Sequence, residues 1–277
     1  MRERDVLHRF YARLVTASAG VSDPRIEDAF ATVPREHFLG PGPWPIKVAA
    51  SGYMSSETDD PAVLYQDIVV GLVPSRGLNN GQPSLHAKCM GAVLPQPGDR
   101  VVHVGAGTGY YTAILSMLVT PGGRVDAYEV DPHLARRASD NLARHANVAV
   151  HATSAVDGVL PAADVIYVSA GVTDIPPAWR DALAPEGRLV VPLTPAEGLG
   201  VMLLVTRMGR DAYAARVLST AAFIPCVGAT DPQGSRAVVA ALAVAPPDAV
   251  RSLRVGVEPD DTAWFRGDGW WLSTWEP

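Results

Sequence analysis

Cysteine is nearly missing from this chain of 277 residues, which has two, Cys89 and Cys226. Two thiols that far apart build neither a disulfide framework nor a metal cluster, so both are read as reduced and no metal site is expected. Lysine is as scarce, standing only at positions 47 and 88, while arginines are scattered and the formal net charge is −6. With no long basic stripe to neutralise phosphates, nucleic acid is not the expected partner. No apolar run approaches the roughly 20 residues that span a bilayer. The opening MRERDVLHRFYARL also lacks the apolar centre of a secretory signal. The expectation is a cytoplasmic protein with no membrane segment, a monomer or homodimer. No internal repeat or low-complexity tract is visible.

What is present suits a globular fold: 48% hydrophobic and 19% charged residues, in a length that allows one large core with extensions. From Val101 onward short apolar runs alternate with helical patterns: RVVHV, YYTAILSMLV, RVDAYEV, DPHLARRASDNLARHA, VAV, ADVIYVSA, PPAWRDAL and RLVVPL. Strand-helix alternation predicts a parallel sheet covered on both faces. VMLLVT and AYAARVL, separated by little more than MGRD, predict an antiparallel hairpin that closes it. The predicted fold is therefore α/β, with a Rossmann-like, seven-stranded mixed sheet. Residues 1–95 are expected to form a helical cap with a substrate loop, 96–222 the core, and 223–277 a C-terminal extension packed on it. Trp264, Trp270, Trp271 and Trp275 fall in that extension and are read as aromatic bulk that docks the chain end.

The segment most informative about chemistry is RVVHVGAGTGYYTAI, where a buried strand runs through Gly105, Gly107 and Gly109 into a helix. Glycines there let the backbone turn tightly and let a ligand approach without a Cβ in the way. The next strand, RVDAYEV, carries Glu129, 20 residues after Gly109, where a carboxylate can accept hydrogen bonds from ribose hydroxyls. A dinucleotide fingerprint wants a small residue where this chain has Tyr110. The pattern thus favours a nucleoside cofactor without a pyrophosphate, a description that S-adenosylmethionine fits.

From about Leu64 to Leu193 the chain resembles the protein-L-isoaspartate O-methyltransferase family of class I methyltransferases. The similar material is GLNNGQPSLHAKCMGAVLPQPGDRVVHVGAGTGYYTAILSML, VDAYEVDP and ADVIYVSAGVTDIPPAWRDALAPEGRLVVPL, with VPREHFL upstream. The resemblance implies S-adenosylmethionine as methyl donor, S-adenosylhomocysteine as product, and an isoaspartyl protein or peptide as acceptor. It assigns Gly105, Ala106 and Gly107 to the methionine part of the donor and Glu129 with Val130 to the ribose. Residues 78–84 would line the acceptor pocket, with Asn79, Asn80, Gly81 and Ser84 on the substrate and Gly81, Gln82 and His86 as candidates for a catalytic role.

Three departures stand out. The family loop usually carries Thr-Ile-Ser, whose serine helps position the substrate, where this chain has Asn79, Asn80 and Gly81. His103 stands where an acidic residue usually ends the first strand, and three roles are open to it: a cofactor hydrogen bond, a base near the methyl group, or a neutral histidine satisfied by backbone. After the third strand, His151, Ala152, Thr153 and Ser154 replace the usual Gly-Asp-Gly, which leaves two ways to meet the adenine: a hydroxyl of Thr153 or Ser154, or the backbone alone. Tyr65 and Asp67 are further candidates for the pocket or for the core. A carboxylate acceptor, with an ordinary pKa of about 4, needs no general base. A relative that methylates a peptide natural product or a small metabolite, and a cofactor-binding module without catalysis, are the competing readings.

Overall fold

The computed structural model describes residues 3–48 and 52–277. In chain order its helices are α1 (Glu3–Ala19), α2 (Pro24–Thr32), α3 (Glu36–Leu39), α4 (Pro83–Val93), α5 (Tyr110–Leu118), α6 (Pro132–Asn141), α7 (Pro177–Ala182) and α8 (Pro232–Val244). Its strands are β1 (Pro45–Val48), β2 (Gly52–Ser55), β3 (Gly71–Val73), β4 (Leu78–Asn79), β5 (Arg100–Val104), β6 (Arg124–Tyr128), β7 (Val148–His151), β8 (Ala163–Val168), β9 (Leu183–Leu193), β10 (Gly200–Arg207), β11 (Tyr213–Ala221), β12 (Ser252–Val255), β13 (Ala263–Arg266) and β14 (Trp270–Ser273). Among the described residues no helix is long and apolar enough to cross a membrane. The chain divides into two units, one running to Gly98 and resuming over Ala106–Thr153, the other formed by Asp99–Gly105 and Ser154–Pro277.

Helix boundaries in the first unit follow from capping chemistry. Asp23 and Asp131 each precede a proline at the first helical position and accept backbone N–H bonds, from Arg25 and from His133 and Leu134 respectively. The apolar stripe of α1 buries Tyr11, Ala12 and Val15, that of α2 buries Ile26, Ala29 and Phe30, and the ring of Phe30 meets Tyr11 and Tyr110 edge-on. Helix α5 is buried on nearly every side, as its largely apolar sequence YYTAILSML requires, and its buried Ser116 hydroxyl is satisfied by the Ala113 carbonyl. Strands β6 and β7 pair in parallel, Val125 opposite Val148 and Tyr128 opposite His151.

One polar group organises the segment between the helical N-terminus and α4. Arg35 is fully buried, and its guanidinium donates to the carbonyls of Leu64 at 2.6 Å and Gln66 at 3.0 Å and also to that of Ile68. An interior cation is tolerated when acceptors meet it, and here three carbonyls of one irregular segment take its two terminal NH2 groups, while its buried Nε has no hydrogen-bond partner. That segment is fixed as a consequence, with Leu64 and Val70 in a buried cluster with Leu39 and Trp44.

In the second unit the strand order is β13-β14-β12-β11-β10-β9-β8-β5. β5, β8 and β9 run parallel, and the strands from β9 outward alternate in direction. The β10–β11 hairpin forms as the sequence suggests, Val205 opposite Ala215. The seven-stranded expectation is too small, since eight strands lie in this unit alone. The surplus comes from the tryptophan-rich end, which forms β12, β13 and β14 because Trp264, Trp270 and Trp271 bury their rings while each indole N–H finds an acceptor: the carbonyl of Ala245, the carboxylate of Asp174 and the carbonyl of Val257. Trp275 remains exposed.

Replacing Arg35 by methionine removes three carbonyl partners at once and should cost about 3 kcal/mol or more in urea unfolding. Arg100→Ala, which breaks only the solvent-facing pair with Asp164, should cost less than about 1 kcal/mol. Similar losses for the two variants would show that the buried guanidinium does not hold the 64–68 segment.

Candidate functional site

Glu129 emerges from the end of β6 with little contact with solvent (8% exposed), and both of its oxygens are used. Oε2 accepts the N–H of Gly107 at 2.7 Å and Oε1 that of Asp131 at 2.9 Å. Burial raises its pKa above the ordinary glutamate value, and the backbone donors Asp131 and Gly107 oppose that rise. Gly107 itself has φ of +57°, in the left-handed region, and a Cβ there would stand 3.3 Å from the Leu72 side chain. A side chain at this turn would therefore crowd Leu72 of β3 as well as strain the left-handed backbone, and glycine avoids both. Val130 is half exposed beside Glu129, and Thr153 is exposed at the loop that leaves β7. His151 is occupied, pairing with Asp126 at 3.0 Å and stacking on Tyr128.

The loop after β4 belongs to the same unit. Asn79 Oδ1 accepts the N–H of Gly81 at 3.0 Å, while its amide donates to the Gly77 carbonyl and the Tyr53 hydroxyl, at 3.1 and 3.3 Å. Asn80 is buried; its Oδ1 accepts the Val70 N–H at 2.9 Å, and its Nδ2 has no hydrogen-bond partner. Gln82 donates to Asp67 at 2.8 Å, and Ser84 does so through both its N–H at 2.8 Å and its hydroxyl at 2.6 Å. Asp67 therefore clamps the first turn of α4 to the segment that Arg35 holds. Across this loop Tyr111, in the first turn of α5, donates to the Gly81 carbonyl at 3.4 Å and stacks on His86, ring centres 3.6 Å apart and planes 12° from parallel. The β3–β4 connection is also tied to the end of β6, because Arg76 pairs with Asp131. The backbone N–H of Leu134, followed by that pairing, holds the Asp131 carboxyl below its usual range.

In the second unit His103 lies near the end of β5, fully buried, its Nε2 3.0 Å from the Ser169 hydroxyl and its ring edge-on to Tyr167. Burial pushes its imidazole down to about 3, so it is neutral at physiological pH and is not poised to take a proton there. Gly105 lies in this unit against the backbone of Ser169, and Ser154 accepts the Val156 N–H at 3.1 Å.

Several of these partners escape a reading of the sequence. Asp131 is legible as a helix cap, but Arg76 as its ion partner, Leu72 over Gly107, Ser169 on His103 and Tyr111 on His86 all depend on contacts between distant positions. Tyr65 is buried, stacked on His8 and bonded to Glu36, which makes it a core residue.

A family model described as protein-L-isoaspartate(D-aspartate) O-methyltransferase matches residues 13–231. A protein-L-isoaspartate O-methyltransferase of Methylorubrum extorquens is 34% identical over 219 residues, 77% of this chain and 86% of the relative. A protein-L-isoaspartate O-methyltransferase 2 of Marinobacter nauticus is 31% identical over 227 residues, 80% and 93% of the two chains. Among solved structures, a protein-L-isoaspartate O-methyltransferase superposes with a TM-score of 0.64 at 22% identity, over 98% of this chain and 87% of its own. One from Plasmodium falciparum, in complex with S-adenosyl-L-homocysteine, gives 0.60 at 20%, over 79% and 97%. The structural likenesses establish the fold.

The state of His103 has a pH signature. Its folded value of about 3 lies below the ordinary 6.5 of an unfolded chain, so between those values the unfolded chain binds a proton that the folded one refuses. Its contribution to stability is complete above about 6.5 and is lost as pH falls through that window. The melting temperature of His103→Asn should therefore fall less than the parent's between about pH 7 and pH 4. Parallel slopes would place the acid sensitivity elsewhere.

Proposed function

The chain belongs to the protein-L-isoaspartate O-methyltransferase family, and on that premise we propose that it methylates the free carboxylate of isoaspartyl residues in proteins or peptides. As a member of the family it is an S-adenosylmethionine-dependent O-methyltransferase. The observation that carries the choice of acceptor is the extent of the likeness: residues 13–231 take in the 79–84 loop, the glycine turn and Glu129 alike.

The residues of the first unit suit the donor. At the Gly107 turn the backbone can lie against a ligand without an intervening Cβ. Each Glu129 oxygen accepts one backbone N–H and keeps lone-pair capacity for a ribose hydroxyl. The donor supplies an electrophilic sulfonium methyl group. The chain must then present the acceptor in line, keep water out and hold the carboxylate by donors that do not quench it. The acceptor is already ionised at neutral pH, so the lack of a histidine poised as base at position 103 is no obstacle. In this reading the 79–84 loop, braced by Asp67 and Tyr111, holds the acceptor. A second reading, a peptide natural product or small metabolite as acceptor, is favoured by one observation: the Asn79, Gln82 and Ser84 side chains are engaged in bonds that shape the loop itself.

With methyl-labelled S-adenosylmethionine and matched peptides, base-labile label should appear on the isoaspartyl peptide and not on its aspartyl twin. Label on neither, with the donor still bound, would favour the second reading. Glu129→Gln should weaken donor binding by roughly 10- to 100-fold in calorimetry, the worth of a hydrogen bond to a charged group. Because burial raises the Glu129 carboxyl, the parent's donor affinity should begin to drop at a pH above the ordinary glutamate range as the solution is acidified, a step that the glutamine variant lacks. Identical affinities for parent and variant would remove Glu129 from the donor site.

A further inference from the structure

Helix α8 departs from the pattern of a surface helix. After Arg236 it reads AVVAALAV, a run without a charge, yet of that run only Val238 and Ala241 are buried. Val239 is 54% exposed and Val244 86%. A helix that is apolar on all sides is ordinarily covered on all sides, so the outer face of α8 calls for a cover that the described residues do not give it. That face is one wall of a groove of about 680 Å³, lined by Val239, Ala240 and Ala243 of α8 and, among others, by Pro195, Glu197 and Pro225 of the segments facing it. The walls are tied together, because the Ser235 hydroxyl accepts the Ala196 N–H at 3.1 Å and donates to the Asp231 carbonyl at 2.8 Å. Helix α8 starts at Pro232, one residue past the family match, so the match does not carry the groove. Two charges of opposite sign, Arg236 and Glu197, stand exposed in its lining and form no hydrogen bond or ion pair among the described residues. The Asp231 carboxylate, also in the lining, is engaged by the N–H groups of Gln233 and Gly234. The Gly234 N–H does most to hold that carboxyl below its usual range, and the Arg236 charge adds a little.

We propose that a second copy of this chain covers this face: α8 of each copy lies in the groove of the other about a two-fold axis, with Arg236 set against Glu197 of the partner subunit. A two-fold contact sets one patch against itself, so each residue i that meets j is matched by a j that meets i. A groove charged with one sign would call for a partner of the other sign. This groove presents one exposed charge of each sign that lacks an ion pair, and so it complements its own copy. Its apolar stripe does the same, since Val239, Ala240 and Ala243 are at once the face that needs cover and a face small enough to let two helices approach to roughly 8–10 Å. A small ligand suits the groove less well, because ligand sites enclose most of what they bind and the α8 wall lies open to solvent. The association is independent of the donor and of the acceptor.

Analytical ultracentrifugation of the full chain over a range of concentrations tests this without any substrate. The parent should sediment as a dimer at about 100 μM. Arg236→Glu and Glu197→Arg should each weaken the dimer by about tenfold or more, since each sets two pairs of like charges together across the two-fold axis. Combining the two exchanges restores opposite charges in both pairs and should return the dissociation constant to within about threefold of the parent's. Val239→Asp, which puts a carboxylate into the apolar stripe, should leave a monomer. Because all three side chains are exposed, the melting temperatures of the dilute proteins should agree to within about two degrees, which separates lost association from lost folding. A parent dimer indifferent to the single reversals, or a combined variant as weak as the single ones, would overturn the proposal. So would a parent that stays monomeric. If that monomer binds the apolar dye anilinonaphthalene sulfonate and Val239→Asp does not, the groove belongs to a small apolar ligand instead.

Discussion

The buried guanidinium of Arg35 is the constraint from which residues 64–84 of the first unit are built. A fully buried cation has to find acceptors, and the carbonyls of Leu64, Gln66 and Ile68 are those it finds. A stretch with little regular structure of its own thereby becomes a fixed platform. Asp67 lies within it and spends its carboxylate on the N-terminal turn of α4, where a negative charge is favoured by the unpaired N–H groups of the helix. The loop of residues 79–84 enters α4 at that turn. Its geometry is thus inherited, through two hydrogen-bonded steps, from a residue that lies more than forty positions upstream and never meets solvent.

A second polar centre organises the glycine turn by similar physics. Glu129 ties the N–H of Gly107 to that of Asp131, so the glycine turn and the start of α6 are held by one carboxylate. The Arg76–Asp131 pair extends this tie to the β3–β4 connection. A carboxylate in that position is costly to bury, as its raised pKa records, and the cost is offset by backbone donors and not by a neighbouring cation. A side chain so engaged is pre-organised: a ribose would meet a carboxylate already oriented.

The sequence makes some of this legible, and the reasons are physical. The glycine turn, Glu129 and the β10–β11 hairpin follow from local rules: backbone freedom, strand length and the type of residue at a strand end. The capped helices α2 and α6 also follow from local chemistry, since Asp followed by Pro writes both the cap and the first helical residue. The tryptophan-rich terminus did not read as strands, because aromatic bulk suits both a docked tail and a pleated sheet, and only its packing decides. The pairings Arg35 with 64–68, Arg76 with Asp131, His103 with Ser169 and His86 with Gly81 leave no mark in local pattern. Each joins residues whose own neighbours would allow several roles, and His103 shows the consequence: the residue type leaves three roles open, and burial beside Ser169 leaves it neutral.

The replaced triplet at 79–81 is therefore more than the loss of a family serine. Asn79 uses its side chain to close the turn over Gly81, Asn80 buries its amide against Val70, and the space beside Gly81 is filled from α4 by His86. A hydroxyl could not be restored at position 81 by a single exchange, because the imidazole stands in its place and the left-handed backbone disfavours a side chain as well. The loop has to change together with the helix that follows it.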